Sequence, residues 1–132
     1  MANPVEEFVA LRRWAVVGAS QERHKFGNII LRRLHQAGYQ VVGVHPNGEP
    51  VDGIPVYPTL ADIPEAPDVV NIVVPPSVTE RIVEMCYTLG IRRIWMQPGA
   101  QSQAAIAFCH AHGMRVVADG SCALVHHRRW SE

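Results

Sequence analysis

Cysteine, charge of one sign and long apolar runs are all scarce in this sequence, and each scarcity excludes something. The three cysteines, Cys86, Cys109 and Cys122, are odd in number and widely spaced. They make no disulfide framework and suit a reducing compartment, so a cytoplasmic location is expected. Twelve Lys and Arg balance twelve Asp and Glu, for a net charge of zero. Nucleic acids and anionic membranes are recognised through a strong basic bias, so neither is expected as a partner. The doublets Arg12-Arg13, Arg32-Arg33, Arg92-Arg93 and Arg128-Arg129 read as solvated helix ends and strand entries. No apolar run approaches the ~18 residues of a membrane span. The opening Met1 to Glu7 is acidic and lacks the apolar core of a signal peptide.

What is present suits one globular domain over residues 1–132, with 48% hydrophobic residues to fill a core. Asn3-Pro4 with Glu6 reads as a helix start, since Asn caps, Pro fits the first helical position and Glu6 completes a capping box. Trp14 to Val17 is a continuous apolar run, the mark of a strand covered on both faces. A unit of helix, stopping glycine and β-branched strand then recurs. Ile29 to Ala37 leads through Gly38 into Tyr39 to Val44. Ser77 to Leu89 leads through Gly90 into Ile91 to Met96. Ser102 to His112 leads through Gly113 into Met114 to Ala118. Ser77 with Glu80 carries the capping-box signature again. Met85, Met96 and Met114 read as core packing.

Residues Asn47 to Pro67 break the rhythm with five prolines and two glycines, Gly48 and Gly53. A short extended piece near Ile54 to Tyr57 and one helical turn near Leu60 to Ile63 are expected there. Val69 to Val74 follows as a strand halted by Pro75-Pro76, and Ala123 to Trp130 is expected to cover a sheet edge. Strands alternating with helices imply right-handed crossovers. The expected fold is α/β, a Rossmann-like doubly wound sheet of five parallel strands with flanking helices.

Ligands of such sheets bind outside the carboxyl ends of the strands, at the topological switch point. Here those ends carry Gly18-Ala19-Ser20, His45-Pro46, Val74-Pro75, Gln97-Pro98 and Asp119-Gly120. The first is a small-residue turn between a strand and a helix opening near Gly27, an arrangement that favours an anion. Ser20 adds a hydroxyl, and Arg23 and Lys25 add cations. It is not a dinucleotide fingerprint, because Gly18, Ser20 and Arg23 stand where G-x-G-x-x-G needs three glycines. His45 stands where an acidic residue would hold the ribose of NAD. No Gly-Lys-Ser/Thr triplet marks a P-loop.

Val17-Gly18-Ala19-Ser20, Lys25-Phe26-Gly27-Asn28, Gly38-Tyr39 and Val44-His45-Pro46 together resemble the small CoA-binding protein family. The resemblance continues through Tyr57-Pro58-Thr59-Leu60, Asp62-Ile63-Pro64, Asp68-Val69-Val70 and Ile94-Trp95-Met96-Gln97-Pro98-Gly99-Ala100. That family is similar to the N-terminal domain of the succinyl-CoA synthetase α subunit. The resemblance implies CoA or an acyl-CoA as ligand. Its pyrophosphate would lie on Gly18, Ala19, Ser20 and the helix entered by Arg23, Lys25, Phe26 and Gly27. Its adenosine would run from His45-Pro46 to Val74-Pro75, with Gln97 further along the rim. A basic or neutral His45 tolerates the ribose 3′-phosphate of CoA, which a carboxylate would repel. Where the family often has Asp, a basic residue and Cys after the last strand, the run here is Asp119-Gly120-Ser121-Cys122.

The chain offers no persuasive catalytic constellation. Cys122 with His126 and His127 lacks the second ligand cluster of a metal site. His110 and His112 sit at a helix end, where imidazole suits the dipole. A non-catalytic binding, carrier or sensor module is expected. An NAD(P)-binding redox protein or a small acyl-CoA-using enzyme is the alternative. Association with itself or with a partner enzyme stays open.

Overall fold

A computed structural model describes residues 3–130. The ends of the expected 1–132 span, Met1, Ala2, Ser131 and Glu132, lie outside the described residues. Asn3 does cap the first helix, α1 (Pro4–Val9): its side-chain oxygen accepts the Val5 N–H at 2.9 Å. Six strands follow: β1 (Arg13–Val17), β2 (Gln40–Val44), β3 (Val56–Tyr57), β4 (Val69–Ile72), β5 (Arg93–Met96) and β6 (Arg115–Val117). All pairs are parallel and the order is 3-2-1-4-5-6. The remaining helices are α2 (Phe26–Gln36), α3 (Pro76–Thr88), α4 (Gln103–Ala111) and α5 (Ala123–His126), with a single 3-10 turn at Leu60–Asp62.

The sheet is Rossmann-like and parallel, but it has six strands where five were expected. The extra one is the extended piece before Pro58. The Pro55 carbonyl accepts the Gly43 N–H at 2.9 Å and the Tyr57 carbonyl accepts the His45 N–H at 3.0 Å. Two residues are too few to show a period of two, so pairing along the β2 edge is invisible in the sequence.

Strand residues alternate between two cores, as a sheet covered on both sides requires. Trp14, Val16, Val69 and Trp95 pack beneath α1, α2 and α5, beside Phe8, Ile30, Leu31 and Leu34. Ala15, Val17, Val70, Ile72, Ile94 and Met96 pack beneath α3 and α4, beside Val83, Cys86 and Cys109. Gly38, Gly90 and Gly113 follow α2, α3 and α4 with left-handed backbone, as expected.

Two local expectations are corrected. The Ser77–Glu80 capping box does not form: α3 starts one residue earlier at Pro76, which leaves Pro75 at the cap. Ser77 then lies inside the first turn, and Glu80 instead accepts the Ser102 hydroxyl at 2.6 Å, tying α3 to α4. A capping box does close the 3-10 turn. There the Thr59 N–H and hydroxyl donate to Asp62 Oδ2 at 3.1 and 3.0 Å. The tail from Ala123 covers a face and not a sheet edge. Ala123 is buried with Trp95, and Trp130 N–H donates to Ala37 at the carboxyl end of α2 at 2.7 Å. Arg128 N–H and Tyr39 Oη, 2.9 Å apart, fasten it midway.

Candidate functional site

The chain runs from β1 out to β2 and β3 and then returns to β4 on the other side of β1. The switch point therefore lies between the carboxyl ends of β1 and β4. Gly18 occupies that gap. Its φ is 104°, and a Cβ there would lie 2.4 Å from the Val73 carbonyl oxygen. Gly27, at the start of α2, presses on the same turn: its Cβ would lie 1.9 Å from the Gly18 carbonyl oxygen. Both must be glycine for strand, turn and helix to meet this closely.

The amides of the turn are already used. Gly18 and Ala19 N–H both donate to the Val44 carbonyl, at 2.9 and 3.3 Å, and Ser20 N–H donates to Gly18 at 3.0 Å. The donors left for an anion belong to the helix mouth. The first intrahelical bond of α2 runs from Ile29 N–H to Lys25, at 3.1 Å. That leaves the amides of Phe26, Gly27 and Asn28 without helical partners. No side chain caps this end and no acidic residue lies in its first turn. Ser20 Oγ accepts the Glu22 N–H at 3.0 Å, which leaves its own proton to donate.

A buried relay holds the turn. Asn28 donates through Nδ2 to the Ser20 carbonyl at 2.7 Å, and its Oδ1 accepts Arg32 Nε at 2.6 Å. Arginine can only donate, so Arg32 dictates which end of the Asn28 amide faces Ser20. Arg32 also donates to the Arg23 carbonyl at 3.2 Å. Further out, Arg23 pairs with Asp52 at 2.8 Å, and Gln21 donates to the Pro50 carbonyl at 3.1 Å. The Arg23 guanidinium holds the Asp52 carboxyl below its usual range.

A cavity of about 500 Å³ opens beside this turn. Gly18, Ser20, Glu22, Lys25, His45 and Thr59 contribute its polar lining. Leu60, Val74, Pro75, Val78, Ile82 and Met85 give it an apolar wall. Lys25 Nζ is 3.0 Å from Glu22 Oε2. That hydrogen bond is the main reason the Glu22 carboxyl lies below its usual range. His45 Nδ1 accepts the Asn47 N–H at 3.3 Å, which puts the proton of a neutral ring on Nε2. A second hollow of about 510 Å³ sits at the opposite, amino ends of β1 and β2. Its one arginine, Arg13, is already paired with Glu65 at 2.8 Å.

Of the residues singled out by sequence, Gly18, Ser20, Lys25, His45, Pro46, Val74 and Pro75 line the rim cavity. Ala19 and Gly27 are buried beneath it as packing for the turn. Arg23 is drawn off to Asp52, and Phe26 projects into solvent, 62% exposed. Gln97 is buried on the α5 side. Its Oε1 accepts Asn71 Nδ2 at 3.1 Å and the Ala123 N–H at 2.9 Å, and its Nε2 contacts Cys122 Sγ at 3.2 Å. Sequence reasoning missed Glu22, Thr59, Val78 and Ile82 and misplaced Met85. Met85 is not core but lies 37% exposed on the cavity wall. The spacing of Val78, Ile82 and Met85, one face of a helix at i, i+4 and i+7, was the available signal.

Elsewhere, burial pushes the thiols of Cys86 and Cys109 up to about 12 and about 11, which keeps them protonated at neutral pH. Among the described residues no three His, Cys, Asp or Glu side chains cluster as metal ligands. No described helix is long and apolar enough to cross a membrane.

Comparison with known proteins agrees with this architecture. The chain is 39% identical over 72 residues to the ADP-forming acetate–CoA ligase I of Archaeoglobus fulgidus, a match spanning 54% of this chain but 10% of the ligase. A conserved hypothetical protein of Pyrococcus furiosus superposes with a TM-score of 0.82 at 35% identity, over 86% of this chain and 97% of that one. The dinucleotide-forming acetyl-coenzyme A synthetase 1 of Candidatus Korarchaeum cryptofilum, in complex with phosphate and ADP, superposes with a TM-score of 0.72 at 28% identity. That match covers 83% of this chain and 26% of the synthetase. The model of the CoA binding domain family matches residues 12–128, and the chain belongs to that family.

Proposed function

We propose that the rim cavity binds CoA or an acyl-CoA and that the chain acts as a binding, carrier or sensor module without chemistry of its own. The observation that carries this reading is the mixed lining of the cavity. The Ser20 hydroxyl and Lys25 line it together with an apolar wall, beside the uncapped mouth of α2 and at the switch point of the sheet. A nucleotide offers charged and apolar groups to match both kinds of lining. Its pyrophosphate would rest against the mouth of α2, where each favourable charge is worth about 0.3–1 kcal/mol. Its adenine would lie between Leu60 and the Val74, Val78 and Ile82 side. His45 Nε2 would face the ribose and its 3′-phosphate. The chain spans a tenth to about a quarter of the length of the acetate–CoA ligases it resembles. In this reading any acyl transfer belongs to a partner protein.

Thermal melting with CoA, acetyl-CoA, dephospho-CoA, NAD and NADP tests the proposal. CoA at ten times its dissociation constant should add about 1.4 kcal/mol, a rise of roughly 4 °C for a domain of this size. Acetyl-CoA should match it, dephospho-CoA should do less, and NAD should do least. A rise with NAD or NADP alone would end the CoA reading. Equal rises with CoA and dephospho-CoA would remove the 3′-phosphate role of His45.

A further inference from the structure

Among the described residues, Lys25 and Glu22 are the cationic and anionic side chains that line the rim cavity, and they are bonded to each other. Lys25 Nζ lies 3.0 Å from Glu22 Oε2. The other nearby cation of the turn, Arg23, is occupied by Asp52 at 2.8 Å and does not line the cavity. The helix mouth thus presents free amides, while the charge of Lys25 is already neutralised from within the chain. Glu22 is placed for this by its own backbone. Its N–H is held on Ser20 Oγ at 3.0 Å, and its carbonyl accepts the Lys25 N–H at 3.0 Å. The carboxylate therefore stands at the mouth of the helix whose dipole would receive a phosphate.

We propose that Glu22 is a built-in competitor for the nucleotide's phosphates, holding Lys25 until a polyanionic ligand displaces it. The proposal rests on the nucleotide reading above and adds a selectivity step to it. An anion arriving at the helix mouth must take Lys25 from Glu22 and must tolerate Glu22 nearby. A ligand with several phosphate charges overcomes this more readily than one with a single weak charge. Both partners are 56% exposed, so the pair contributes little to the fold and its influence falls on the ligand. The Glu22 carboxyl, already held below its usual range, stays ionised throughout the neutral range and competes there constantly.

The test is calorimetric titration of wild type and Glu22→Gln with CoA, ADP and adenosine at low and high salt. Glu22→Gln should bind CoA and ADP about three- to fivefold more tightly at low salt, with the gain shrinking at high salt. Adenosine, which has no phosphate, should bind both proteins equally. A general loosening of the turn would move adenosine as well, so an adenosine change overturns the assignment. In a Lys25→Met background the Glu22→Gln gain should largely vanish. An equal gain there would mean simple repulsion and would overturn competition for Lys25. If wild type binds CoA and ADP but Glu22→Gln is unchanged, Glu22 has no such role and the nucleotide reading stands. If neither protein binds CoA or ADP, both fall together.

Discussion

Gly27→Ala should destabilise the fold by about 3 kcal/mol, the upper end of what overpacking a dense interior costs. The added Cβ would sit 1.9 Å from the Gly18 carbonyl oxygen and 2.7 Å from its carbon. Neither atom can yield cheaply. Gly18 N–H is bonded to Val44, and the site of its missing Cβ is 2.4 Å from the Val73 carbonyl oxygen. Pushing the turn away from α2 would therefore push it into the end of β4. Urea denaturation of the variant measures the loss, and titration with CoA should show binding gone, because the turn and the helix mouth beside the cavity would be displaced. A loss below about 1 kcal/mol would mean that turn and helix are not packed in this way.

Asn28→Ala is expected to cost about 2 kcal/mol, since it leaves the Ser20 carbonyl and the Arg32 guanidinium without their shared partner. Asn28 is 1% exposed, so water cannot readily replace it. Affinity for CoA should fall by roughly tenfold, because a turn that must be ordered on binding subtracts that cost from the affinity. Asn28→Asp separates the two bonds. It keeps an acceptor for Arg32 but sets a carboxylate against the Ser20 carbonyl, so its CoA affinity should fall as far as that of Asn28→Ala. If Asn28→Asp bound CoA as well as wild type, the Ser20 bond would not be what holds the turn.

The parts of the molecule legible in sequence are those governed by local rules. The glycine stops at Gly38, Gly90 and Gly113 and the buried run Trp14 to Val17 are local signals, and they located helices and strands closely enough to place the rim. The family was legible because its residues recur in order along nearly the whole chain, and the match over residues 12–128 agrees. What escaped depends on partners distant in sequence. Val56–Tyr57 is a strand only because β2 offers its edge. Glu80 gives up a local cap for Ser102, 22 residues away. Arg23 has a charge fit for phosphate, but Asp52 holds it outside the cavity. Gln97 stands at a strand end as expected, yet its side chain turns to Asn71 and Ala123. The backbone of Gly18 to Ser20 is likewise spent on β2 and on itself, which leaves the amides at the mouth of α2 without helical partners. Which carbonyl an amide meets cannot be read from residue type.

Amide chemical-shift mapping of isotope-labelled protein titrated with CoA tests the central claim most directly, since the two hollows lie at opposite ends of the sheet. Shifts should concentrate at Ser20 to Asn28, His45, Thr59-Leu60 and Val74 to Val78, and remain small at Arg13, Gln40 and Glu65. Shifts confined to the Arg13, Gln40 and Glu65 end, or no shifts at saturating CoA, would contradict it.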